Sequence, residues 1–180
     1  MNFIDAQLLS LILFLPAIAA VVILFLPDNE PKLIRWFAFG ASLIPFVLSL
    51  VAWFRFNPNQ PGFQFEESYV WYEAIGSSFH LGVDGLSLTM VLLTTLLTPL
   101  AILASFTITD RVKWYMMLFL FLETGMLGVF MALDLLIFFV FWEVGLFSAQ
   151  MFVTGVLLAL PVMTGVLLVN LAFGVMTRAA

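Results

Sequence analysis

Long apolar runs separated by short polar breaks dominate this chain, and the runs have the length needed to cross a bilayer. The pattern predicts a first span over about Leu8 to Leu26, closed by Pro27, Asp28 and Asn29. A charged loop with Glu30, Lys32 and Arg35 leads to a second span, about Trp36 to Phe54, with Trp36 and Trp53 placed for the headgroup layers. A hydrophilic stretch over 55–84 follows, read as an extramembrane loop. In it the alternation Phe63, Phe65, Tyr69, Trp71 suggests a short strand or hairpin. The third span is expected over about Leu86 to Phe106, with Asp84 and Ser87 spaced as a helix cap and Pro99 as an internal kink. A fourth covers about Trp114 to Leu133, and Asp134 turns the chain into a fifth, about 135–152.

Beyond that turn, Leu135 to Thr177 carries Glu143 as its one charge. As a single helix the run would be about 64 Å long, against a hydrocarbon core of roughly 30 Å. It must fold back or leave the membrane, and Ser148-Ala149-Gln150 with Gly155 is the expected place of reversal, giving a sixth span over about 156–176. The expected fold class is thus an all-α integral membrane protein, a bundle of five to six transmembrane helices.

Composition agrees. The chain has 180 residues, 64% hydrophobic and 9% charged, where soluble domains carry about 25% charged residues. No cysteine is present, which excludes disulfides, thiolate metal sites and iron–sulfur ligation. A net charge of -5 argues against nucleic acid as a partner. The first run lacks a basic leader and a small-residue cleavage site, so it is expected to be retained rather than cleaved as a signal peptide. With alternating spans, Lys32, Arg35, Arg111 and Lys113 fall on one side and Arg55 and Arg178 on the other. The basic side tends to be cytoplasmic, which places the N-terminus and the long loop on the periplasmic side or its equivalent.

Two carboxylates lie deep inside spans. Glu123 is eleven residues from Asp134 and Glu143 nine, which puts them about 16 and 13 Å below the turn at similar height. A carboxylate at the bilayer centre costs about 2.5–3.5 kcal/mol on insertion scales, and such residues commonly mark proton or ion pathways. The plainer alternative is a protonated acid that bonds across a helix interface as packing glue. Spacing alone leaves open whether the two face one another. Accessory candidates are His80, where a proton is taken up or which is simply solvated, Asp84, read first as a cap, and Asp134. Thr89, Thr94, Thr95 and Thr98 either line a wet path or bond their own helix backbone. Gly125 and Gly128 permit close helix packing. No phosphate loop, metal-spaced cluster or activated nucleophile is present in the sequence, so no catalytic or cofactor-binding residues are assigned.

Two stretches resemble a known family. Phe79-His80-Leu81-Gly82-Val83-Asp84-Gly85-Leu86-Ser87 with Val91 to Leu100, and Leu122 to Phe130 with Leu133-Asp134-Leu135 and Phe141-Trp142-Glu143, are similar to the antiporter-like M subunit (NuoM/NdhD type) of proton-translocating NADH:quinone oxidoreductase, complex I. The likeness covers about 1–147. It implies a helical bundle of about fourteen spans, relative to which this chain is truncated, set in a bacterial inner (plasma) membrane or an equivalent energy-coupling membrane. It implies other membrane subunits as partners besides lipid, no cofactor bound by this chain, and quinone and NADH used by the parent complex. The family's fifth-helix glutamate falls on Glu143. The implied role is a proton-path subunit; Glu123 is a second candidate for the path from its depth in the span alone, beside the packing alternative given above.

The likeness stops after Gly145-Leu146, where Phe147-Ser148-Ala149-Gln150 replaces the family's usual run. The tail, about 148–180, resembles a helix of the FliR-type flagellar export protein; either the chain is a composite, the favoured reading, or the tail is a coincidence of apolar sequence. The membrane lysines of the family's later helices have no counterpart here, so the chain is expected not to pump alone. The alternatives carried forward are a subunit of a multi-subunit cation/proton antiporter, a type III export component, and a chimera without function.

Overall fold

The computed structural model describes residues 7–72 and 77–155. The expected sixth span and the tail resemblance lie outside the described residues. Among the described residues five long helices form a bundle: α1 (Leu8–Phe25), α2 (Pro31–Arg55), α3 (Gly85–Ala104), α4 (Val112–Met131) and α5 (Leu135–Gly155). Between α2 and α3, β1 (Gln64–Tyr72) and β2 (Ser77–Val83) make an antiparallel hairpin. The first four helices are long and apolar enough to cross a membrane, with α3 extended by a 3-10 turn to Thr107. α5 has 21 residues, about 31 Å at 1.5 Å per residue, and passes straight through Ser148, Ala149 and Gln150. No reversal occurs at those residues: the Ser148 hydroxyl donates to the Val144 carbonyl at 2.8 Å and is satisfied within its own helix.

α2 begins at Pro31, five residues before the predicted span, so Lys32 and Arg35 stand in its first turns. Hydropathy marks where the lipid begins, whereas the helix continues through the headgroup layer, where long basic side chains reach water. Arg35 Nη2 donates to the Ile108 carbonyl at 2.6 Å, and Lys113 Nζ donates to the Leu26 carbonyl at 2.8 Å. Both cations therefore satisfy carbonyls where α1 and α3 end, the negative ends of those helices.

The opposite end is acidic, and each helix that starts there is capped by a carboxylate. Asp84 and Ser87 form a reciprocal capping box on α3, with Ser87 N donating to Asp84 Oδ1 at 2.7 Å. Asp134 caps α5 by accepting from the amides of Leu136 at 2.8 Å and Ile137 at 3.3 Å. α1 has no cap of its own, because the Gln7 side chain bonds none of its amides. The carboxylate of Glu67, in β1, takes that place: Oε1 accepts from Leu9 N at 2.8 Å and Ser10 N at 3.2 Å, and Oε2 accepts from the Ser10 hydroxyl. These are the second and third amides of the helix, the usual targets of a cap.

The hairpin is thus fastened across the acidic end. β1 holds α1 through Glu67; β2 is held by Asp134, which accepts from Ser77 Oγ and Ser78 N at 3.2 Å, and by Leu133 N donating to the His80 carbonyl at 2.9 Å. Below it the apolar core divides into two clusters. One, near the hairpin, joins Leu9, Ile12 and Leu13 of α1 to Val91, Leu127 and Phe141. The other, at the far end, joins Ala20 and Ile23 to Ala38, Ile102, Met116 and Leu120.

Removing the remote cap tests this arrangement. Glu67→Ala leaves two amides of α1 without an acceptor and should cost about 1–3 kcal/mol, read as a lower thermal midpoint in detergent or bilayer. Glu67→Gln keeps an acceptor and should cost less; equal midpoints for wild type and Glu67→Ala would show that the hairpin does not hold α1.

Candidate functional site: two membrane carboxylates on opposite faces of a helix pair

α4 and α5 approach until their backbones touch. A Cβ placed on Gly125 would lie 2.6 Å from Gly145 N, and one on Gly128 would lie 2.0 Å from Cγ of Phe141. The glycines therefore define the α4–α5 contact face, as small residues do between membrane helices. With about 100° between successive helical residues, Glu123 stands about 160° from Gly125 and about 140° from Gly128. Glu143 likewise stands about 160° from both Phe141 and Gly145. The two carboxylates are at similar height but point away from the shared face in opposite directions. The structure does not bring them together.

Their surroundings differ accordingly. Glu123 is 0% exposed, and neither carboxylate oxygen has a hydrogen-bond partner among the described residues. On the α4 surface it shares a face with Leu120 one turn before and Leu127 one turn after, one from each apolar cluster. Glu143 is exposed on the outer side of α5, near the middle of the helix, between half-buried Trp142 and Val144.

The accessory candidates gather at the hairpin end and not around either glutamate. His80 lies in β2, where Nε2 is 2.9 Å from Glu66 Oε2 across the hairpin. Asp84 is fully engaged in its capping box. Asp134 ties the hairpin to α5: desolvation pushes its carboxyl up, but hydrogen bonds from the amides of Ser78, Ile137 and Leu136 and from the Ser77 hydroxyl outweigh this and hold it below the ordinary aspartate value. Three of the threonines bond their own helix, Thr89 to the Gly85 carbonyl at 2.7 Å, Thr95 to the Val91 carbonyl at 3.0 Å and Thr98 to the Thr94 carbonyl at 3.0 Å. Thr95 also shares a 2.8 Å bond with Ser49 of α2. Among the described residues no group of three or more His, Cys, Asp or Glu side chains is arranged to hold a metal ion.

Sequence reasoning missed Glu67, since its partners lie 57 and 58 residues away. The one available signal was that Glu66 and Glu67 are adjacent in a strand, where neighbours point to opposite faces. Glu66 meets His80 on one face, and Glu67 turns inward to α1.

The helices, their apolar surfaces and the enclosed carboxylate define an integral membrane protein of transmembrane helices. Comparison with known proteins gives the family. The chain is 38% identical over 146 residues to NAD(P)H-quinone oxidoreductase chain 4 of Prochlorococcus marinus (strain NATL2A), covering 80% of this chain and 27% of that protein. It is 37% identical over 155 residues to chain 4 1 of Nostoc sp. (strain PCC 7120 / SAG 25.82 / UTEX 2576), covering 86% of this chain and 29% of the relative. It is 43% identical over 144 residues to NADH-quinone oxidoreductase subunit M of Rhodobacter capsulatus, covering 78% and 28%. No family model matches the chain. Over about four fifths of its length, this chain is a homologue of the quinone oxidoreductase chain 4 and subunit M proteins. It spans less than a third of the length of these relatives.

Two outcomes follow from the geometry. Gly125→Val meets backbone that cannot move aside and should weaken α4–α5 packing by about 1–3 kcal/mol. Gly128→Ala meets the Cγ and Cδ atoms of a side chain, so adding Phe141→Ala, which removes them, should restore part of the loss; additive effects in thermal denaturation would contradict the contact. The Asp134 carboxyl, lowered in the folded chain, contributes stability that is complete above about pH 4 and is lost as pH falls through the lowered folded value. Wild type should therefore lose thermal stability on acidification over that window by more than Asp134→Asn does.

Proposed function

We propose that this chain serves as a membrane subunit of a proton-translocating NADH:quinone oxidoreductase and contributes two carboxylates, Glu143 and Glu123, to its proton path. Three things support the reading: the names of the relatives, the match of Phe141-Trp142-Glu143 to the family's motif, and the place of Glu143. That last observation carries it. A carboxylate at hydrocarbon depth on the outer face of a helix is costly if it meets only lipid. The cost is offset when a neighbouring helix or subunit provides a polar path against that face, as a chain embedded in a larger membrane complex would find. Quinone and NADH are then substrates of the whole complex, and this chain moves protons for it without holding a redox centre.

The basic end with Arg35 and Lys113 faces the cytoplasm in this proposal, and the hairpin faces the periplasm or its equivalent in an energy-coupling membrane. The relation of the tail to an export protein plays no part in it. A cation/proton antiporter subunit is the competing role, and co-purification separates the two: iron–sulfur partners and quinone reduction for one, sodium-dependent transport for the other.

The test is Glu143→Gln in membranes carrying the whole complex. Substrate-driven proton translocation should fall by about tenfold or more, while the assembled complex remains detectable at its normal size. Unchanged translocation with Glu143→Gln would overturn the assignment.

A further inference from the structure

Between the two apolar clusters, α1 to α4 each place buried residues that belong to neither. α1 contributes Pro16. α2 has Ser42, Pro45 and Ser49 between Ala38 of one cluster and Ala52 of the other. α3 has Thr94, Thr95, Thr98 and Pro99 between Val91 and Ile102. On α4, Glu123 and Thr124 lie between Leu120 and Leu127. The middle of the bundle is therefore a polar layer sandwiched between two greasy ones.

A count of donors against acceptors in that layer does not balance. The hydroxyls of Ser42, Thr98 and Thr124 donate to carbonyls of their own helices, those of Phe39, Thr94 and Leu120. Ser49 and Thr95 bond each other and the carbonyls of Phe46 and Val91. Three prolines, each inside a helix, remove the amides that would reach the carbonyls of Ile12, Ala41 and Thr95. Glu123 adds two carboxylate oxygens that bond nothing among the described residues. The hydroxyls of Ser42, Thr98 and Thr124 already donate within their own helices, and the two oxygens of Glu123 receive no donor among the described residues. Buried polar atoms are nearly always satisfied by protein or by internal water, and an unpaired charge there is the costliest of all choices.

We propose that this layer is a hydrated proton-holding site, in which Glu123 carries a proton and donates it to internal water bound among the Ser/Thr and proline-freed carbonyls of α1, α2 and α3. Water brings two donors per molecule to carboxylate oxygens that have none, and the proton on Glu123 converts one orphan acceptor into a donor. The site is separate from Glu143, which points away on the other side of the α4–α5 contact. It shares with the proposed function only the assignment of Glu123 to proton handling.

Infrared spectroscopy of the full chain in lipid bilayers tests it, with glutamate labelled by heavy carbon at the side-chain carboxyl. At neutral pH the carbonyl band of a neutral carboxylic acid should be present, carry the label shift, lose a component in Glu123→Gln and keep that component in Glu143→Gln. On transfer to D2O it should shift promptly to lower frequency, because internal water exchanges the proton. Glu123→Asp keeps the acid but not the label, so the band should leave the labelled set even if Glu123→Gln fails to insert. A band untouched by both Glu123 variants, or no such band, would show that Glu123 holds no proton. A band unmoved by D2O would show a dry layer. Each of these results overturns the proposal whatever Glu143→Gln does to proton translocation.

Discussion

The approach of α4 to α5 at Gly125 and Gly145 sets the direction of everything chemical in this bundle. Because two backbones meet there, no side chain fits between them, and the residues half a turn away on each helix must face outward from the contact. Glu123 is thereby turned into the interior of the bundle, while Glu143 is turned to the outside. Two acids about 6 Å apart in height receive opposite environments from one pair of glycines. A larger residue at either position would rotate or separate the helices and change both environments together.

The ends of the bundle obey a second, electrostatic constraint. α1, α3 and α5 all start at the hairpin end, where their positive termini collect Glu67, Asp84 and Asp134. α1 and α3 end at the opposite side, where Lys113 and Arg35 close carbonyls. The asymmetry of basic residues that suggests a membrane orientation therefore has a local cause as well, since the same side chains finish helices. The Lys113–Asp28 pair at 3.2 Å adds little, because Asp28 is largely exposed.

The spans were legible because hydrocarbon imposes a length on apolar runs, and α1, α3 and α4 start and end within a few residues of the expected positions. The glycines of α4 and the cap at Asp84 were legible too, since their roles follow from local spacing. What sequence spacing left undetermined was rotational: the similar heights expected for Glu123 and Glu143 fit either a facing pair or a diverging one. Only the partner of Gly125 decides, and Gly145 carries no sequence mark that says so. The remote cap at Glu67 was hidden for a related reason, as its partners are distant in the chain. Ser148 to Gln150 resembled a break because they are polar, yet a serine bonded to the carbonyl four residues back sits comfortably in a membrane helix.

The central claim is that one acid is enclosed and the other faces out across a glycine contact. Solid-state NMR of the full chain in bilayers, with labelled glutamate and glycine, measures this directly. A cross-peak between the α-carbons of Gly125 and Gly145, with none between the side-chain carboxyl carbons of Glu123 and Glu143, is the predicted result. A strong carboxyl-to-carboxyl cross-peak without the glycine contact would contradict it.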